Sequence, residues 1–327
     1  MKKTDQVVLV TGAAGFVGAA LVEHLTLLGY RVIAASRSHR ATGQGVDDVL
    51  LPSPTDASDD EFDNLLSRAH HVVHLAGLAH TRVKGGDAAD IYRYANLVLT
   101  ERLANAAARK RLPGKFLFVS SVRAQCGNAR SGIVSETDVA QPTDEYGRTK
   151  LAAEQAIARI LGPEQFTILR PVLVYGRGVK GNMATLQNLA RMKVPLPLGS
   201  LPGRRSLLSR QSLCQAISHC LIEPKTDGNT YIVADRQSLT VGEIVAALRR
   251  GLNSRPLVFP FPAALLKHAT GLILSSGQWE TLAGDLRVST AALEATGWQP
   301  NDDTAKELSM MMNPALPSSV ARRSAVG

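Results

Sequence analysis

Cysteine is scarce in this chain of 327 residues: there are three, Cys126, Cys214 and Cys220. Their odd number and spacing fit neither a zinc site nor a CxxC redox pair, so we expect no metal and assign the thiols no chemistry. That includes Cys126, which lies close in sequence to the candidate active site below. No apolar run is long enough to span a bilayer, and Met1–Asp5 leads directly into a strand-like run without a signal-peptide pattern. The expectation is a cytoplasmic protein with no membrane insertion. Phe259–Leu274 is apolar, opens with Pro260 and Pro262, and reads as a packed helix. The net charge is +9, yet no lysine-rich block or arginine–aromatic stripe accompanies it, which argues against a nucleic-acid partner. Anionic small ligands account for part of the excess charge. No internal repeat is present.

The composition itself is ordinary, with 45% hydrophobic and 20% charged residues, so a large core is available. Length favours two domains, or one domain with a substantial second lobe. Short β-branched runs at Val7–Val10, Arg31–Ala35, His71–Leu75, Lys115–Val119 and Phe166–Leu169 alternate with amphipathic stretches such as Ala19–Leu28, Ile91–Arg109 and Tyr146–Leu161. This alternation predicts an α/β fold: a doubly wound parallel sheet of the Rossmann type with helices on both faces. Beyond Pro171 glycine and proline become frequent, which marks loops around a few helices. We therefore expect a dinucleotide-binding domain over 1–176, with a returning strand at about 230–235. A smaller substrate-binding lobe over 177–312 and a disordered tail over 313–327 complete the reading.

The segment Val7-Val8-Leu9-Val10-Thr11-Gly12-Ala13-Ala14-Gly15-Phe16-Val17-Gly18 stops an apolar strand at a glycine and starts a helical pattern at once. Gly12 suits the tight turn, Gly15 lets backbone approach a pyrophosphate, and Gly18 permits close helix packing. The anion then sits at the amide end of the helix, near Phe16 and Val17. The second strand ends in Ser36-Arg37, where many dinucleotide sites carry a carboxylate for the ribose hydroxyls. A hydroxyl followed by a guanidinium suits a 2′-phosphate, so the cofactor is read as NAD or NADP, with NADP slightly favoured.

Tyr146 and Lys150 in Asp144-Glu145-Tyr146-Gly147-Arg148-Thr149-Lys150 share one face of a helix. A phenol titrates near 10, and a nearby ammonium favours its ionised form. The pair can then take a proton from a substrate hydroxyl as hydride leaves its carbon. Chance supplies roughly 0.2 such spacings in a chain of this composition, so the pair gains weight only from its place after the glycine turn.

With these pieces assembled, the chain resembles the extended short-chain dehydrogenase/reductases, within the NAD-dependent epimerase/dehydratase family and its UDP-glucose 4-epimerase-like group. The likeness is carried by Thr11–Gly18, His74-Leu75-Ala76-Gly77, Asn96, Ser120-Ser121, Tyr146 with Lys150, and Leu169–Gly176, and it extends to Thr296–Pro300. The resemblance implies a catalytic serine, for which Ser121 fits better than Ser120. It also implies that Leu75, Ala76 and Gly77 line the cofactor ribose, that Asn96 belongs to the cofactor site, and that Pro171 lies by the nicotinamide. Asn182 and Arg205 fall where relatives contact the nucleotide diphosphate, and a homodimer through the helices 91–109 and 146–161 is what the family implies. Three departures stand out. Val122-Arg123 replaces the acidic pair that family dehydratases use, which argues against a 4,6-dehydratase. Arg177 stands where relatives carry proline, and the acid after the second strand is missing. Two enzyme readings stay open: a 4-epimerase of a UDP-hexose or UDP-N-acetylhexosamine, and a reductase of a UDP-4-keto-6-deoxyhexose. A non-catalytic dinucleotide-binding regulator is the third.

Overall fold

The computed structural model describes residues 5–39, 43–79, 88–270 and 276–313. Its strands, in chain order, are β1 (Val7–Thr11), β2 (Arg31–Ser36), β3 (Val46–Leu50), β4 (His71–His74), β5 (Phe116–Val119), β6 (Arg130–Val134), β7 (Phe166–Pro171), β8 (Leu173–Tyr175), β9 (Arg204–Ser209), β10 (Thr230–Val233), β11 (Ser238–Thr240) and β12 (Leu286–Val288). Seven of them form one sheet in the order β10-β7-β5-β4-β1-β2-β3, and every pairing in it is parallel. Crossovers from β1 run outward in both directions, the doubly wound pattern.

A parallel sheet needs cover on both faces, which is why β1 reads as the unbroken run Val-Val-Leu-Val-Thr and is buried throughout. On one face, Leu21, Val22 and Leu25 of the helix Phe16–Leu27 join Leu213 and Ile217 of the helix Arg210–Ile222 in one core cluster. On the other face Phe62, Leu103, Ala104, Ala153 and Ile157 form the second cluster. They come from the helices Asp59–Leu66, Leu99–Arg109 and Glu145–Ile160. Each such aliphatic side chain, fully buried, contributes about 1.5–3 kcal/mol.

The returning strand lies at the sheet edge beside β7. β3 carries no expectation from the sequence, because Asp47-Asp48 in its middle is unfavourable for a strand. At the far edge of the sheet it is only partly buried, so both carboxylates reach water.

The other strands make a second sheet in the order β11-β9-β12-β6, with β8 also pairing β9. It draws on β6 and β8 from before residue 177 as well as on later segments. Tyr175, Met183, Leu207, Val245, Leu248 and Leu308 form its core. Phe259–Leu274 is not one helix: the helix there is Ala263–Thr270. Pro260 and Pro262 oppose helix before it, and Val258 bridges Leu196 instead. Residues 271–275 and 314–327, with most of the tail, lie outside the described residues. Among the described residues no helix is long and apolar enough to cross a membrane.

Candidate active site

The glycine turn joins β1 to the helix Phe16–Leu27. Gly12 has φ +71°, and a Cβ on it would come within 2.8 Å of the Ala76 amide nitrogen, so both backbone angle and space require glycine. Its carbonyl accepts from Gly15 N at 2.9 Å. A Cβ on Gly18 would come within 2.1 Å of that same carbonyl, so the helix is packed against the turn itself. Gly15 caps the helix with extended backbone, no side chain bonds to its first amides among the described residues, and no acid occupies its first turn. Those amides, with Gly15 exposed and Phe16 and Val17 half-buried, are available to an anion. Arg210, at the start of the neighbouring helix Arg210–Ile222, has its guanidinium 4.8 Å from the Phe16 ring centroid and bonded to the Phe16 carbonyl.

Ser36 ends β2 buried, and its hydroxyl donates to the Ser38 carbonyl at 2.6 Å, while Arg37 is exposed. A cavity of about 370 Å³ adjoins this strand end, lined among others by Ala13, Ala14, Glu23, Ser36 and Asp48. Two carboxylates therefore stand near the strand end that lacks one of its own.

Behind the turn runs a chain of buried polar groups that no spacing motif announces. His74 pairs with Thr11 in the sheet register. Burial, with the charge of Lys150 adding to it, pulls its imidazole down to about 3, so the ring is neutral. Thr100 Oγ1 donates to the Asn96 carbonyl at 2.6 Å and so must accept from His74 Nε2 at 2.9 Å. Nδ1 is then the acceptor for the Thr11 hydroxyl at 2.6 Å, and Thr11 Oγ1 accepts from Ala76 N at 3.2 Å. The order of donors fixes the tautomer and ties the first strand to the loop at Leu75–Gly77 and to the helix carrying Asn96.

Asn96 sits in a π-helical stretch, Arg93–Val98, between the α-helical segments Ala88–Tyr92 and Leu99–Arg109. Single π turns recur at functional sites. Here the stretch buries Asn96 completely. Its Oδ1 accepts from Leu78 N at 2.8 Å, and its Nδ2 donates to Leu78 O and to Thr149 Oγ1, each at 3.2 Å. Asn96 thus holds the loop after β4 against the helix Glu145–Ile160. A Cβ on Gly77 would come within 2.7 Å of Asn96 Oδ1 and 3.4 Å of Lys150 Nζ, which brings this loop to the lysine.

At the end of β5 the two serines diverge. Ser120 is buried and donates to the Glu154 carboxylate, which also pairs with Arg170. Arg170 in turn donates to Gln125, so this ion pair is fully hydrogen-bonded beneath the site. Ser121 is half-buried, caps the short 3₁₀ turn Val122–Ala124 and favours the ionised form of the Tyr146 phenol. Asp144 caps the helix Glu145–Ile160 by accepting from Gly147 N at 2.8 Å. Burial pushes the Tyr146 phenol up to about 12; the Ser121 bond and the Arg123 charge oppose this, while Asp144 and Tyr92 add to it. Lys150 is buried, donates to the Val119 carbonyl at 3.1 Å, and lies 4.5 Å from the Phe118 ring centroid. Burial brings its ammonium down to about 8, against the pull of Glu154.

Pro171 ends β7 in the same sheet, opposite Val233. In the second lobe Asn182 is exposed at the start of the helix Asn182–Arg191. Arg205 is buried, its guanidinium donating to the carbonyls of Asn128, Glu280 and Gly284. Arg204 donates to Ser238 O and pairs with Glu243 at 3.1 Å. The structure thus brings Lys150 to the Gly77 loop, which adjoins the glycine turn through Ala76, and it binds both arginines to protein groups of the lobe. All three cysteines are buried and free, and among the described residues no three His, Cys, Asp or Glu cluster as a metal site.

Comparison with known proteins agrees with this architecture. The model of the NAD dependent epimerase/dehydratase family matches residues 8–234. The chain is 31% identical to a UDP-glucose 4-epimerase of Vibrio cholerae over 306 residues, covering 91% of this chain and 92% of that protein. It is 28% identical to the dTDP-6-deoxy-L-talose 4-dehydrogenase (NAD(P)(+)) of Kitasatospora kifunensis, covering 94% and 90%. Among solved structures, MoeE5 in complex with UDP-glucose and NAD superposes with a TM-score of 0.70 at 23% identity, covering 97% and 99% of the two chains, which speaks to the fold alone. By the span of the family match and the identity to the Vibrio protein, the chain is a member of the NAD dependent epimerase/dehydratase family.

Proposed function

We propose that the chain is an NAD(P)-dependent 4-epimerase of a UDP-hexose or UDP-N-acetylhexosamine. The observation that supports the reading is the approach of Lys150, one turn after Tyr146 on the same helix, to the Gly77 loop that adjoins the glycine turn. The residues fit a dinucleotide: the amides of Gly15, Phe16 and Val17 would take the pyrophosphate, and Leu75, Ala76 and Gly77 would line the ribose that Lys150 reaches. Ser36 and Arg37 lie where the adenosine would end, and Pro171 by the nicotinamide. When bound, the nicotinamide supplies a hydride acceptor that can return the hydride. Ser121 would hold the sugar 4-oxygen by its hydroxyl, and Tyr146 would take the proton from it and give it back after the ketone has turned over. Asn182 is proposed for the diphosphate. Arg205, engaged by three carbonyls, acts there through the fixed positive charge it brings.

A second reading, a reductase of a UDP-4-keto-6-deoxyhexose, is favoured by Ser36-Arg37 at the end of β2 and by the likeness to a 4-dehydrogenase named for NAD(P)(+). The complete serine, tyrosine and lysine set argues against a non-catalytic regulator. Denaturing the purified protein and identifying any released nicotinamide separates the two enzymes. Tightly held NAD, with UDP-galactose or its N-acetyl analogue formed from the gluco substrate without added reductant, supports epimerisation. Empty protein that consumes NADPH with a 4-keto substrate overturns it.

A further inference from the structure

A cation that the motifs leave unexplained stands at the centre of this site. Arg123 follows Ser121 by two residues, and its backbone N–H donates to Ser121 Oγ at 3.2 Å. Its carbonyl lies against Gly147, where a Cβ would come within 2.2 Å of it, so any larger residue would push the tyrosine helix off the serine turn. Its Nη2 pairs with Asp144 Oδ2 at 2.5 Å, while Oδ1 of the same carboxylate caps the helix through Gly147 N. The side chain is 17% exposed, and its Nε is buried with no hydrogen-bond partner in this structure. An orphaned donor of a buried guanidinium is costly. It persists where an oxygen-rich ligand or an ionised neighbour will meet it.

Tyr146 lies two residues beyond the Asp144 that holds this guanidinium. From its own helix come Asp144 and Lys150. From the helix Ala88–Tyr92 comes Tyr92, with ring centroids 6.2 Å apart. From the turn after β5 come Ser121 and Arg123. Lys150, the cation that the spacing offers as partner, has its ammonium on the Val119 carbonyl and the Phe118 ring. The Arg123 guanidinium, held by Asp144 two residues before Tyr146, is a second cation in this region. Arg205 lies close enough to repel it, which leaves Asp144 as the anchor.

We propose that Arg123 is a positioning residue of the proton-transfer site: it locks the Ser121 turn to the Tyr146 helix and stabilises the ionised phenol on the sugar side, while Lys150 serves the cofactor side. This rests on Tyr146 being the proton-transfer group. It also gives the position after the serine, where the family's dehydratases place acids, an electrostatic role of opposite sign.

The test is a titration of Tyr146 itself in the full-length NAD⁺-loaded protein. The near-ultraviolet absorbance of tyrosinate is followed against pH, and the same titration with Tyr146→Phe is subtracted. Arg123→Gln should raise the Tyr146 midpoint by about one pH unit, the low end of what an opposite charge at ~4–6 Å provides. Arg123→Lys should recover most of that shift. Arg123→Met, uncharged and unable to bond Asp144, should raise the midpoint as far as Arg123→Gln does, so that the shift follows the charge and not the lost hydrogen bond. An unchanged or lowered midpoint in Arg123→Gln overturns the proposal. Should that variant not fold, an unchanged or lowered midpoint in Arg123→Met does so. Interconversion of UDP-glucose is measured in parallel on the wild type. Its failure counts against the proposed reaction and leaves the phenol titration readable.

Discussion

The three glycines of the phosphate turn can be separated by experiment, because the structure gives each a different reason to lack a side chain. At Gly18 an added methyl would sit 2.1 Å from the Gly12 carbonyl oxygen and 2.8 Å from Ala13 Cα. Both are backbone atoms that cannot rotate away, so the helix must retreat from the turn by roughly 1 Å to restore van der Waals contact. Overpacking of this kind costs about 1–3 kcal/mol, and backbone partners place Gly18→Ala at the upper end. For a chain of this size that is a fall in Tm of roughly 3–5 °C. At Gly15 the nearest atom to an added methyl is the same carbonyl at 3.0 Å, and its φ of −76° suits any residue. Gly15→Ala should leave stability within about 1 kcal/mol of wild type. Its methyl would project at the exposed amide end of the helix, so NAD(H) affinity should fall by about tenfold or more, at ~1.4 kcal/mol per factor of ten. Urea unfolding without nucleotide and calorimetric binding of NAD(H) read the two effects independently. A Gly15→Ala protein that binds NAD(H) like wild type, or a Gly18→Ala protein of undiminished stability, would refute this division.

Other outcomes follow from the same geometry. Tyr146→Phe should retain nicotinamide binding but lose turnover by about 10²–10⁴-fold, checked by steady-state assay on the true substrate. His74, held at about 3, refuses a proton that the unfolded chain takes up near 6.5, and His71, at about 4, does the same. Each contributes stability that is present above 6.5 and lost as pH falls toward those values, so His74→Gln should flatten the acid limb of a urea-midpoint series. Asp235 runs the other way. Burial between Tyr175 and Ser209 raises its carboxyl to about 6 from 3.8, so its contribution is present at low pH and lost as pH rises through 6. Asp235→Asn should gain up to about 3 kcal/mol at pH 8 relative to its effect near the unfolded pKa, and equal effects at both pH values would contradict this burial cost.

Much of the main sheet was legible because its strands are covered on both faces and read as unbroken apolar runs. β1, β2, β5 and β7 lie within a residue or two of where composition places them. β3 was not, since an edge strand can carry Asp47-Asp48 and so escapes the apolar signal. The second sheet was illegible for another reason. β6, β8, β9, β11 and β12 are each short, and they come from segments up to about 150 residues apart, so no local period announces them. The phosphate turn and the Tyr146–Lys150 pair are local patterns. The links from Thr11 to His74 to Thr100 and from Ser120 to Glu154 to Arg170 are not: each joins residues on different elements, and only the tertiary structure brings them together.

Spacing places two residues on one face of a helix without making them partners, and here the difference decides the electrostatics. The Lys150 ammonium donates to the Val119 carbonyl and not to the Tyr146 hydroxyl. A phenol held up to about 12 keeps its proton throughout the neutral range, and a lysine brought down to about 8 has surrendered part of its own hold on charge. Arg123 narrows the gap from one side, and a positive charge arriving with the dinucleotide would act from the other. On the proposed function the phenol would become a base as the dinucleotide's charge arrives, so that proton abstraction would begin only with a hydride acceptor in place.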